Sequence, residues 1–169
     1  MMKEISVSQL TDNPFEAIGK EWMLVTAGTP DHFNFMTASW GGVGVLWGQP
    51  VAFVFIRPER YTHEFIERSE RLTLAFLGEA HRGALNYCGT HSGRQVNKIE
   101  ATGLTSCLTP GGCVTFDQAR LTLECRKLYK TRMQAADFID ATCLTRWYGE
   151  GKGSLHDVYV VAIEHAYVR

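Results

Sequence analysis

Three stretches of the chain combine polar side chains with the kind of backbone ends that bind anions or flat polar rings. In the first, Ser92-Gly93 leads into a segment carrying Arg94 and Lys98. If a helix starts at Ser92 and runs through Ala101, positions i and i+4 share a face and both cations lie together. A helix start also offers unpaired N–H groups and the positive end of its dipole. Together these features suit a phosphate dianion. They equally suit a surface helix whose cations are solvated. In the second stretch, Arg57 ends the apolar run Val51 to Ile56, and Thr62 reads as the N-cap of a short helix, His63 to Arg68. The third is Asn34-Phe35-Met36-Thr37-Ala38-Ser39-Trp40, followed by Gly41-Gly42. Free backbone at such a strand end can hydrogen-bond the edge of a flat ring, and Trp40 can flank it. Standing alone, the run also reads as an ordinary strand and turn.

Other chemistries lack their motifs. Gly42-Val43-Gly44 begins like a dinucleotide loop, but the next glycine, Gly48, falls one place late and opens a turn rather than a helix. Gly89-Thr90-His91-Ser92-Gly93 sets its serine one place too late for a nucleophile elbow. The six histidines, at 32, 63, 81, 91, 156 and 165, show no H-x-H or H-x-x-x-H pairing, so no metal site is expected. The five cysteines are odd in number and contain no C-x-x-C, which argues for free thiols in a reducing compartment.

The elements that must position these residues follow from patterning. Pro14 opens a short helix through Ile18. Strands are expected over Trp22 to Ala27, Phe33 to Trp40, Val51 to Ile56 (buried on both faces) and Leu72 to Leu77. A helix is expected from His81 to Tyr87, ended by Gly89. Ala119 to Lys130 alternates Leu121, Leu123 and Cys125 against Thr122, Glu124 and Arg126, the pattern of a half-exposed antiparallel strand. In Val158 to Val168, residues Tyr159, Val161, Ile163 and Tyr167 fall on one face. Strands at both ends with short helices between them imply a mainly β (α+β) fold, an antiparallel barrel with helical insertions. No linker divides the 169 residues, so residues 1–169 read as a single domain. Seventeen basic against eighteen acidic residues leave a charge of −1, which argues against nucleic acid and against a polybasic membrane contact. No apolar leader or span is visible, and the expectation is a soluble, cytoplasmic protein.

Taken in order, Asn34-x-Met36-Thr37-Ala38-Ser39-Trp40, Arg57-Pro58-x-Arg60-Tyr61-Thr62 and His91-Ser92-Gly93-Arg94-x-x-x-Lys98 resemble the flavin reductase-like FMN-binding split-barrel family, and its small flavoredoxin-type members most. The resemblance runs from about Ile18 to Val168. It implies a six-stranded antiparallel split β-barrel, a homodimer, and FMN bound near the dimer interface. It further implies that Asn34, Thr37, Ala38, Ser39 and Trp40, with Met36 between them, address the isoalloxazine and ribityl groups. Arg57, Tyr61 and Thr62 would lie along the ribityl-phosphate path, and Ser92, Gly93, Arg94 and Lys98 would address the phosphate. One departure is Asn97, where many relatives carry an acidic residue before the lysine. The implied function is an oxidoreductase that takes hydride from NADH or NADPH through flavin N5 to a flavin or other small-molecule acceptor. The cofactor carries the chemistry, so no dedicated catalytic side chain is expected. Two alternatives are an electron-transfer flavoprotein serving a redox protein partner and, from a different class, a non-catalytic ligand-binding barrel.

Overall fold

The computed structural model describes residues 2–169. Its strands are β1 (Lys3–Ile5), β2 (Met23–Thr29), β3 (His32–Ala38), β4 (Gly41–Leu46), β5 (Gln49–Ile56), β6 (Arg71–Phe76), β7 (Ser106–Leu108), β8 (Val114–Phe116), β9 (Leu121–Arg132) and β10 (Asp157–Val168). The helices are α1 (Pro14–Glu16), α2 (Tyr61–Arg68), α3 (Arg82–Thr90), α4 (Lys98–Thr102) and α5 (Ala141–Tyr148). A wider turn, Ala17–Glu21, continues α1.

All strand pairs are antiparallel. The main sheet runs β3-β2-β6-β9-β10-β5-β4, with β1 added on β10. Its two edges, β3 and β4, are consecutive in the chain, and only Ser39 and Trp40 separate them. Three Cα steps span at most about 11 Å, so the sheet must roll until its edges nearly meet. No ladder joins β3 to β4, and the result is an antiparallel barrel split along that seam. The sheet counts eight strands where six were expected. The short β1 and the glycine-interrupted β4 make the difference, and neither carries enough β-branched sequence to stand out.

The inside of the barrel is apolar. Val25 (β2), Leu74 (β6), Leu123 (β9), Val161 (β10) and Val54 (β5) project inward, and Phe65 and Ile66 of α2 plug one end. Outside, α3 and the β7–β8 hairpin cover β2, β6 and β9 over a second core of Leu24, Phe35, Ala75, Leu85 and Phe116. This second layer overturns the reading of the 119–130 strand as half exposed. The outer residues Thr122 and Glu124 lie buried under the hairpin, where Thr115 and Thr109 hydrogen-bond them at 2.8 and 2.5 Å. β5 is also not sealed on both faces, since Phe53 and Phe55 on its outer side are only half-buried. In β10 a register shift between Ile163 and His165 turns the strand over, so Ala166, not Tyr167, joins the inner core. α3 continues through Gly89, which lies against Thr37 and does not end the helix.

Candidate functional site

The seam is where the three sequence stretches meet. β3 is an edge strand, and its residues Asn34, Met36 and Ala38 are buried along the rim. Facing them are the turn after β5, the start of α2, and the loop between α3 and α4. Asn34, Met36, Tyr61, Thr62, Ser92, Gly93 and Lys98 together line one cavity of about 120 Å3, and Glu59, Arg60, Thr90 and His91 complete it. A wider recess of about 510 Å3 continues from it past Arg94, sharing Asn34, Gly93 and Lys98.

Local geometry differs from the sequence expectation at three points. Thr62 is not an N-cap. α2 starts two residues earlier, at Tyr61, and Thr62 lies buried inside its first turn, accepting a 2.8 Å hydrogen bond from Asn34 Nδ2. No helix starts at Ser92. Residues 92–97 form turns, with Gln95 and Val96 N–H groups donating to Ser92 O at 3.0 and 3.2 Å. α4 begins only at Lys98, so Arg94 and Lys98 do not share a helix face. Its N-cap is Asn97, whose Oδ1 accepts from Ile99 N at 3.1 Å. An aspartate would cap equally well, so the departure at Asn97 costs the helix no cap.

Lys98 is the largest surprise. It is 4% exposed, and its ammonium donates to Phe35 O at 2.7 Å and to Cys88 O at 3.1 Å. One carbonyl belongs to the open edge of β3 and the other to the last turn of α3, where helix carbonyls lack backbone partners. Lys98 therefore ties the seam to the helix. Burial pushes the ammonium down to about 8, and the Arg60 charge acts in the same direction. Arg94 is also engaged, donating to the Glu64 carboxylate and to Glu59 O at 3.2 Å, with its guanidinium 4.6 Å from the Tyr61 ring centre.

The free cation of the cavity is Arg60. Its guanidinium makes no ion pair or side-chain hydrogen bond among the described residues, and burial lowers its pKa. Sequence reasoning placed Arg60 in the motif without giving it a role. Its place just before a helix start is common to many solvated cations and did not single it out. Gly93 completes the wall. A Cβ at this position would meet Asn34 Oδ1 at 2.2 Å, so the 92–94 turn can rest on Asn34 only with glycine there. A guanidinium, a serine hydroxyl and a close-packed backbone turn are donors that suit a phosphate monoester.

The remaining predicted residues of the first stretch continue along β3 to its end. Thr37 is pinned by a 2.5 Å bond to Leu85 O, Ala38 is buried, and Ser39 is half-buried at the seam. Trp40 is exposed beyond the strand end, 5.0 Å from Trp147 and 5.3 Å from His156 between ring centres. Arg57 points away from the cavity. It donates to Trp147 O at 3.0 Å, to Ser154 O at 3.3 Å and to Lys152 O. The β3 rim thus carries the Arg60 cavity at one end and the aromatic cluster of Trp40, Trp147 and His156 at the other, and these bound the candidate groove.

His156 closes the aromatic end from below, with its Nδ1 2.7 Å from Tyr148 Oη. Burial, aided by the Arg57 charge, pushes it down to about 4. An unfolded histidine titrates near 6.5, so below that pH the unfolded chain binds a proton that the folded chain refuses. Stability is expected to fall by on the order of 3 kcal/mol as pH drops from about 6.5 to 4. Urea unfolding of wild type and His156→Gln across that range checks this; the variant should lose much less. Asp157 acts at lower pH and is separable. Burial alone would raise its carboxyl, but Arg132, His63 and Lys130 hold it far below the carboxylate range. His63, Glu67 and Asp157 approach one another as metal ligands would, but Arg132 and Lys130 already occupy the carboxylates.

All five cysteines are free. Burial pushes the Cys88 thiol up to about 11 and the Cys113 thiol to about 12, the reverse of an activated nucleophile. Cys88→Ala is expected to keep both flavin binding and turnover. Turnover lost with flavin still bound would bring a thiol into the mechanism.

No curated protein sequence matches the chain significantly. Solved structures do share its fold. An FMN-binding protein from Thermus thermophilus, solved with p-hydroxybenzaldehyde, is 20% identical with a TM-score of 0.68, over 99% of this chain and 82% of that one. Flavoredoxin from Methanosarcina acetivorans is 19% identical with a TM-score of 0.66, over 99% and 76%. An NADH:FAD oxidoreductase from Streptomyces globisporus is 15% identical with a TM-score of 0.63, over 88% and 74%. The family model of the flavin reductase like domain matches residues 15–169, and the chain belongs to that family.

Proposed function

We propose that the chain is an FMN-dependent oxidoreductase of the flavin reductase type, oxidising NADH or NADPH and reducing a flavin or another small acceptor. The observation that carries the reading is Arg60, without an ion pair or side-chain hydrogen bond among the described residues, in a cavity that Ser92, the Gly93 turn and Thr62 also line. In this reading Arg60, Ser92 and the Gly93 turn hold the phosphate. Thr62 and Asn34, locked to each other, set the polar wall for the ribityl chain. The backbone of Thr37 to Ser39 and the Trp40 indole border the ring. When bound, the flavin supplies the hydride and electron chemistry. The chain's residues bind, orient and exclude water. His156, beside Trp40, is held neutral by burial and so does not serve as an imidazolium acid at neutral pH.

FMN binding in the Thermus protein and NADH use by the Streptomyces enzyme support the cofactor and the donor. The test is anaerobic addition of NADH, then NADPH, to the FMN-loaded protein. Loss of the flavin absorbance near 450 nm at a catalytic rate is the expected result (an approximate band position for any oxidised flavin). Bound FMN that neither nicotinamide bleaches would favour the electron-transfer reading with a redox protein partner, and no flavin binding at all would leave a ligand-binding barrel.

The homodimer is part of the proposal. β4 is an edge strand, and it exposes Val43, Val45 and the turn residue Trp47, with Tyr129 beside Trp47 at 6.1 Å. An apolar sheet edge of this kind is normally covered. Sedimentation at micromolar concentration is expected to give twice the 19.0 kDa chain mass. A monomer that still binds FMN would remove the second subunit from the site. Free thiols suit a reducing, cytoplasmic setting.

A further inference from the structure

No residue between Met133 and Leu155 is buried, although this stretch includes the helix α5. A short helix without a buried face does not hold itself in place. Here a clasp holds it. Arg57 gathers the carbonyls of Trp147, Lys152 and Ser154, and Glu59 accepts from Ser154 N at 2.9 Å. Gly153 fits between the two side chains with φ of +88°, and a Cβ there would meet Glu59 Oε1 at 2.4 Å and Arg57 Nη1 at 2.6 Å. Tyr148 adds its bond to His156 and lies under the Arg57 guanidinium at 5.1 Å. The clasp delivers one side chain to the groove: Trp147, edge-on to Trp40 at 82°. The turn that supplies it, Arg57 to Arg60, is the same turn that sends Arg60 into the anion cavity.

We propose that the α5 arm is a gate at the Trp40 end of the groove, with Trp147 as the residue that sets the size of the electron acceptor admitted. Small planar acceptors pass, and protein-sized acceptors are kept out. The inference rests on the flavin reading, since only that reading makes the Trp40 end the ring end. It adds a specificity determinant on an element that contributes nothing to the barrel core.

Two variants test it, Trp147→Ala and Gly153→Ala. The first readout needs no flavin: trypsin cleavage after Arg146 and Lys152 in the flavin-free protein. Gly153→Ala is expected to speed this about tenfold by freeing the arm, with the barrel left uncut. The second is FMN affinity by fluorescence titration, expected to stay within about twofold for Trp147→Ala, as an edge-on aromatic neighbour outside the cavity requires. The third is the ratio of cytochrome c to benzoquinone reduction with saturating NADH. Both variants should raise it about tenfold, mainly through the cytochrome c rate. An unchanged ratio overturns the gate, and so does unchanged cleavage in Gly153→Ala. Loss of FMN affinity in Trp147→Ala also overturns it, by making Trp147 part of the ring pocket. If wild-type protein binds no flavin, the flavin reading fails and the gate fails with it; the cleavage rates then report on the clasp alone.

Discussion

Arg60→Ala is expected to weaken FMN roughly 10- to 150-fold and to leave riboflavin almost unaffected. A charge-assisted hydrogen bond is worth about 1.5–3 kcal/mol, and about 1.4 kcal/mol is a factor of ten in affinity. Riboflavin lacks the phosphate, so it has nothing to lose at this end of the groove. Arg60 qualifies because its guanidinium lines the cavity and has no carboxylate partner among the described residues. Arg94→Ala is expected to cost less than about tenfold, since Arg94 is already spent on Glu64 and the Tyr61 ring. Fluorescence titration of each variant with both flavins separates the cases. Equal losses for FMN and riboflavin would mean that Arg60 acts through the ring or the fold.

Lys98→Met should behave differently. The ammonium satisfies two carbonyls, one on the β3 edge and one on the last turn of α3, from a position that is 4% exposed. Removing it leaves both without a donor, at about 1–3 kcal/mol each. The flavin-free protein is expected to lose about 2–6 kcal/mol of stability, or roughly 5–20 °C in Tm for a chain of this size. FMN and riboflavin should weaken together, because β3 is the wall that both contact. Chemical denaturation without flavin is the check. Unchanged stability with a selective loss of FMN would return Lys98 to the phosphate.

These two residues show where the sequence was legible and where it was not. The motif around 91–98 comes to the seam beside the other two stretches, but its internal geometry depended on an interaction 63 residues away, between Lys98 and Phe35 O. Local periodicity carries no information on such a bond. A lysine one residue after a cap looks solvated until β3 arrives beside it. Arg60 was hidden for the opposite reason. A cation beside a helix start is ordinary, and only the assembled seam, which sets Arg60 in one cavity with Ser92 and Gly93 and in no ion pair among the described residues, makes it a candidate ligand.

The strands that build the inner core were readable because their alternation is strong: Leu121, Leu123 and Cys125, or Tyr159, Val161 and Ile163. Elements outside that core were not. β4 alternates glycine with valine and lacks the bulk that marks a strand, and β7 and β8 are three residues each. α5 carries Asp140 as a capping residue and Gly149 at its end, a signal that could have found it. The burial of Glu124 required the β7–β8 hairpin above it, and no pattern within β9 announces that cover. The fold was therefore legible where residues face the barrel interior, and least so where a second layer packs from outside.

The most direct test of the whole account is titration of the wild-type chain with FMN, with riboflavin run beside it. The account predicts saturable binding of one FMN per chain, with riboflavin at least about tenfold weaker, because the anion-binding end of the seam contributes only to FMN. No saturable flavin binding, or equal affinity for the two flavins, would contradict it.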